Sequence, residues 1–249
     1  MTTGASTGAV SATPDPPAPA DGPVWEALRA LRPGYARAAG EFARSTWGGA
    51  LDAKTRAFVR MALNGAVTHL RGEALAEAMG DARDAGASAE EILEVLMVTC
   101  TIGVHGMNAD VLADVLAERG EPVDTTVLTP AQERIREDYR RTRGYWRDFL
   151  DPTLALAPGF LEAYLEFSGA PWREGVLEPK VREFLYLAFD TSPTHLHMAG
   201  LRVHIHNVLD HGATVDEIVA VMAMSAGLGL QTLSAADAAW KALYLTDNS

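Results

Sequence analysis

Apolar positions along the chain recur every three to four residues, and no stretch alternates apolar and polar residues with period two. The first spacing buries one face of a helix and the second would bury one face of a strand, so the chain reads as helical throughout. Its helix boundaries are marked as well. Ser88 with Glu91, and Thr214 with Glu217, have capping-box spacing. Thr129-Pro130 opens a charged helix in TPAQERIREDYRRTRGYWRDFL, whose arginines read as a solvated face or as cations reaching an anionic substrate. Ser192-Pro193 is read as the start of a helix running to about Asp210, with His195 in its first turn and Gly212 in the left-handed position that ends it. IVAVMAMSAGLGL at 218–230 is too short to span a bilayer and reads as a buried helix.

This pattern occurs twice. LDAKTRAFVRMAL at 51–63 returns as LEPKVREFLYLAF at 177–189, an offset of 126 residues. Thr-His-Leu recurs at 68–70 and 194–196, and DAGASAEEILEV at 84–95 returns as DHGATVDEIVAV at 210–221. Without a gap, 18 of 66 aligned positions are identical. We read this as an internal duplication. The expected organisation is a disordered tail at 1–22, a first repeat at 23–120, a linker and lead-in helix at 121–150, and a second repeat at 151–249. The tail is rich in Pro, Ala, Thr and Gly and lacks the features of a signal peptide.

Charge and cysteine content narrow the function. A net charge of −12 over 249 residues argues against nucleic acid or an anionic membrane as partner, because both need a basic footprint. One cysteine, Cys100, rules out an intrachain disulfide or a CxxC pair and reads as a small core residue. A cytoplasmic protein with a small-molecule substrate is the expectation.

LEPKVREFLYLAF, HIHNVLDHGATVDEI and DAGASAEEI resemble the carboxymuconolactone decarboxylase and alkylhydroperoxidase D superfamily, whose pattern runs L-x-x-x-x-R-E-L and then H-x-x-x-A-L-x-x-G-x-T-x-E-E-I. The resemblance covers about 66 residues in each copy. It implies an all-α fold, here a tandem duplication of one helical unit, and assembly as a homo-oligomer. The family's histidine, eight residues before the turn glycine, falls on His204, and its R-E-L glutamate falls on Glu183. The first copy has Ala78 and Ala57 there, so the second copy carries most of any chemistry. The peroxidase branch's two cysteines fall on His197 and Gly200, which excludes thiol peroxidase activity. Met224 or a near neighbour stands where the decarboxylase branch often has a second histidine.

Five of the seven histidines lie in THLHMAGLRVHIHNVLDHG at 194–212. On one continuous helix His197, His204 and His211 form a stripe, but residues seven apart are separated by about 10.5 Å along the axis. That is too far to share an ion unaided, so no metal and no cofactor are expected. His204 with Glu183 is the candidate acid/base pair, against a Glu183 that salt-bridges Arg182. His69 and His195 recur within Thr-His-Leu and are read as structural or as pocket-lining. His197 is a further site candidate, His206 and His211 read as surface residues, and His105 aligns with Gln231.

The expected function is a cofactor-free lyase or isomerase acting on a small carboxylate, lactone or polyketide-like carbonyl compound. His204 would move the proton with help from Glu183, and His195 or His197 would polarise a carbonyl or carboxylate. The competing readings are a non-catalytic helical scaffold and a metal-dependent enzyme that uses the histidines.

Overall fold

The computed structural model describes residues 21–144 and 146–245. The tail expected at 1–22 therefore lies outside the described residues except for Asp21 and Gly22. The helices are α1 (Pro23–Leu31), α2 (Pro33–Ser45), α3 (Ala53–Gly65), α4 (Gly72–Asp84), α5 (Ala89–Cys100) and α6 (Ala109–Glu118). They continue with α7 (Pro130–Arg143), α8 (Asp151–Leu156), α9 (Pro158–Glu174), α10 (Pro179–Asp190) and α11 (Met198–Asp210). The last three are α12 (Val215–Gly227), α13 (Gln231–Ala235) and α14 (Asp237–Tyr244). A 3₁₀ turn, Thr101–Gly106, follows α5. Among the described residues there is no strand, and the fold is all-α.

The capping signals act as their spacing suggests. Ser88 with Glu91, Thr129 with Gln132 and Thr214 with Glu217 each form a reciprocal capping box. Gly212 ends α11 with φ of 81°, a backbone state that glycine enters without steric cost.

The start of α11 differs from expectation. Residues 192–196 form a turn rather than the first turn of a helix. The amides of His195 and Leu196 both donate to the Ser192 carbonyl, at 2.8 and 2.9 Å. Leu196 sits at φ 51°, which no right-handed helix accommodates. The chain enters α11 only at Met198, with the His197 ring accepting the Gly200 amide at 3.2 Å as its cap. The earlier connection is built the same way, with Leu70 at φ 35° before α4. Ser192 is not the cap, and its hydroxyl bonds that of Thr194.

Helices α3 and α10 pack against each other at the centre, and most of their side chains are buried. One core cluster joins Val59 and Leu63 of α3 to Phe184 and Leu187 of α10, Val208 of α11 and Val221 of α12. A second joins Phe58 and Met61 of α3 to Val95 and Val98 of α5 and to Leu185 and Phe189 of α10. Residues from 23–120 and from 151–249 thus share both cores. Each fully buried Leu or Phe contributes about 1.5–3 kcal/mol by leaving water. Helices α7, α8 and α9 enclose a smaller cluster around Tyr139, Leu154 and Leu161, so the charged helix α7 buries one face as well.

Two mostly helical runs, Ala89–Glu118 and Val215–Tyr244, are long and apolar enough to cross a membrane by length and composition. Here they serve the core. Val95, Val98 and Ile102 are buried in the first, and Ile218, Val221, Met224 and Leu228 in the second. Cys100, expected in the core, is exposed, because the last turn of α5 turns that position outward; its counterpart Ala226 is exposed too.

A buried ion pair ties the halves together. The Arg182 guanidinium bonds Glu94 and stacks over Trp172 at 5.2 Å, while Glu94 also accepts the Leu177 amide at 2.8 Å. Removing one partner strands the other charge out of water. Glu94→Ala is therefore expected to lower unfolding stability by about 3–5 kcal/mol, measured from urea denaturation midpoints. An unchanged midpoint would contradict this role.

Candidate functional site

The site gathers along α10 from Glu183 to Asp190, the turn after it, and α11 as far as Asn207. Glu183, on α10 and 3% exposed, accepts a hydrogen bond from His204 Nδ1 of α11 at 2.7 Å. Asn207, one turn further along α11, donates to the other Glu183 oxygen at 3.1 Å. Arg182 is engaged with Glu94 instead, so the alternative of an Arg182–Glu183 bridge does not occur. The Tyr186 ring lies parallel to the His204 ring, 4.7 Å away and 8° from coplanar. An imidazole that donates from Nδ1 to a carboxylate has its lone pair on Nε2.

A cavity of about 240 Å³ opens on this ring. His204, His197 and His105 line it, together with Phe149, Phe160 and Arg143. Glu183 lines a second cavity of about 230 Å³, which His204 lines as well. His195 lines neither and stands behind His105, with which it shares a 2.6 Å contact between His105 Nδ1 and His195 Nε2. His206 and His211 are exposed, as expected.

The turn before α11 overturns the geometric argument that kept the histidines apart. His195 and His197 precede the helix, and His105 arrives from the 3₁₀ turn after α5. With Asp190, the last residue of α10, they form a group whose donor atoms all lie within 4.8 Å of one another. The Asp190 side chain is fully buried, and neither of its oxygens has a hydrogen-bond partner. His197 Nδ1 is 3.6 Å from Oδ2, and His105 Nδ1 and His195 Nε2 are 3.9 and 3.8 Å from Oδ1. His204 Nε2 is 3.9 Å from Oδ2, so both groups border one space. Gly200 permits this approach, because a Cβ there would run into the Asp190 carboxylate and the His197 ring.

Burial pushes the His105 imidazole down to about 4, with His197 adding to the shift and Asp190 opposing it. Burial also lowers His195, again opposed by Asp190 and reinforced by His197. Both rings are therefore neutral near pH 7 and able to donate a lone pair.

Position for position, the first segment builds a counterpart without the chemistry. At the offset of 126, Asn64 replaces Asp190, Gln231 stands in the place of His105, and Arg71 and Ala78 replace His197 and His204. His69 Nε2 meets Gln231 Oε1 at 2.8 Å, and Gln231 donates to Asn64 at 2.7 Å. Asn64, Arg71 and Gln231 line a wider cavity of about 480 Å³. Sequence reasoning singled out His204, Glu183, His195 and His197 but missed Asp190, Asn207 and Tyr186. The exchanges of acid for amide at 190/64 and imidazole for amide at 105/231 were the signals for the first of these.

The lowered value at His105 makes stability depend on pH. The unfolded imidazole takes up a proton near 6.5 and the folded one near 4. Acidification through that window thus favours the unfolded chain, and the contribution is intact only above it. In chelator-treated protein, melting temperature is expected to fall less steeply between pH 6.5 and 4 for His105→Gln than for the parent. Equal slopes would contradict a buried neutral His105.

Comparisons with known proteins converge on one relationship. The model of the carboxymuconolactone decarboxylase family matches residues 158–243, the span that holds Glu183, Asp190 and His204. A crystal structure from Burkholderia xenovorans LB400 is 36% identical, covers 89% of this chain and 90% of its own, and superposes with a TM-score of 0.80. That protein is described, provisionally, as a gamma-carboxymuconolactone decarboxylase subunit. No curated protein matches the chain. A match of this identity and extent goes beyond a likeness of fold. The chain belongs to the carboxymuconolactone decarboxylase family.

Proposed function

We propose that the chain is a lyase or isomerase that moves a proton at carbon next to a carbonyl, in a small carboxylate, lactone or polyketide-like compound. The observation that carries this reading is the 2.7 Å bond from His204 Nδ1 to buried Glu183, on a ring that also lines the cavity. Glu183 and Asn207 orient the imidazole and stabilise its cationic form, and Nε2 is the atom that exchanges protons with substrate. A positioned histidine of this kind supplies about 10²–10⁴-fold in rate.

In an isomerisation, Nε2 takes the α proton, the C–H electron pair moves into an enolate, and the imidazolium returns the proton to another carbon. In a decarboxylation, the C–C bond to the carboxylate breaks and carbon dioxide leaves. The electron pair passes to the carbonyl oxygen, and the imidazolium protonates the carbon. Either path needs a donor for the enolate oxygen in a water-poor space, a role we give to His197. Phe149 and Phe160 supply apolar walls, and Arg143 places a cation at the cavity for a substrate carboxylate.

Self-assembly belongs to the same proposal. Leu93 and Met97 on α5 and Val111, Leu112 and Val115 on α6 are exposed, and such apolar surface is typical of an interface. Light scattering is expected to return a multiple of the 26.6 kDa chain mass; a monomer would contradict assembly.

The chemistry is tested by solvent-deuterium exchange into a panel of β-keto acids, lactones and 1,3-dicarbonyl compounds, followed by NMR. The parent is expected to exchange or convert at least one of them. His204→Gln should slow it by about 10²–10⁴-fold and Glu183→Gln should slow it less. No exchange with any compound, or an unimpaired His204→Gln variant that folds normally, would overturn the proposal in favour of a non-catalytic scaffold.

A further inference from the structure

We propose that His105, Asp190, His195 and His197 form a binding site for a divalent transition-metal ion such as Zn²⁺, in the wall of the cavity beside His204. The proposal does not depend on proton transfer at His204.

The first argument is the carboxylate. Asp190 is fully buried, and neither oxygen has a hydrogen-bond partner, a costly state for a polar group out of water. The other buried carboxylates nearby are satisfied: Glu183 by His204 and Asn207, and Glu94 by Arg182 and backbone amides. At Asp190 four imidazoles approach the carboxylate and stop short of bonding it, His197 at 3.6 Å, His195 at 3.8 Å, and His105 and His204 at 3.9 Å. Donor atoms that share one ion are separated in this way.

The second argument is metric. Asp190 Oδ1, His195 Nε2 and His105 Nδ1 form a triangle with sides of 2.6, 3.8 and 3.9 Å. The point equidistant from its corners lies about 2.0 Å from each, the bond length of zinc to imidazole nitrogen and carboxylate oxygen. His197, stacked on His105 with ring centroids 3.9 Å apart, stands on the Oδ2 side, where its Nδ1 becomes a further ligand by exchanging the Gly200 amide for the ion. At 2.6 Å the His105 and His195 nitrogens share a proton. An ion takes that proton's place, and the two rings spread apart slightly. Imidazole and carboxylate together suit zinc and its first-row neighbours.

The third argument is a control within the molecule. The counterpart residues Asn64, Gln231 and His69 close into a hydrogen-bonded chain that satisfies its members without a cation. Exchanging Asp190 and His105 for amides is therefore compatible with the fold.

The test uses protein purified without a histidine tag, stripped with a chelator and titrated with ZnCl₂ by calorimetry, with metal analysis after dialysis. One ion per chain is expected. Asp190→Asn and His105→Gln, which copy the counterpart residues, should each weaken binding at least tenfold while retaining the parent circular dichroism spectrum. His206→Gln, on the exposed face of α11, should bind as the parent does. Substoichiometric zinc in the parent, binding unaffected by both cluster variants, or a loss in His206→Gln equal to theirs would overturn the site.

Discussion

Asp190 ends α10 with its side chain buried, and its backbone carbonyl accepts the His197 amide at 3.0 Å. Between those residues the chain reverses through a turn that needs Leu196 in the left-handed region. Such a state costs a non-glycine residue of order 1 kcal/mol or more and persists because packing on both sides enforces it. This reversal lays α11 along α10 in the register that sets His204 on Glu183. It also lifts His195 and His197 off the helix and folds them over the Asp190 carboxylate.

The same reversal occurs between α3 and α4, through Leu70, and there it leads to amides in place of acid and imidazole. The comparison separates what the fold requires from what the chemistry requires. Thr-His-Leu stands in both turns, and in each the histidine reaches across to the other segment: His195 to His105 in the turn after α5, His69 to Gln231 at the start of α13. That cross-contact is architectural. Asp190, His197, His204 and Glu183 have no such equivalents: Asn64, Arg71, Ala78 and Ala57 stand at those positions.

Much of the helical order could be read directly from the sequence, because capping boxes and helix-ending glycine are local signals. Ser88, Thr129 and Thr214 cap as their spacing predicts. The turn at 192–196 could not be read, since Ser-Pro at a helix start and Ser-Pro before a reversal look alike until tertiary packing selects between them. That single misreading placed His195 and His197 on a helix and made a shared ion look out of reach without further ligands. The His204–Glu183 pair was visible through the family pattern, whereas Asp190 was hidden as one more acid at the end of an apolar helix. Its importance comes from burial, which only packing reveals. Cys100 shows the converse, because an apolar neighbourhood in sequence does not specify which face a helix turns inward.

The account depends most directly on one proton. If Glu183 holds the His204 Nδ1–H, then Nε2 carries the lone pair toward the cavity. Long-range ¹⁵N–¹H NMR correlation of ¹⁵N-histidine-labelled protein at alkaline pH, assigned with His204→Gln, reads this tautomer. The account predicts that His204 is the Nδ1–H form with an unprotonated Nε2, and that the preference is lost in Glu183→Ala. A His204 found as the Nε2–H form, or as a tautomer mixture indifferent to Glu183, would contradict it.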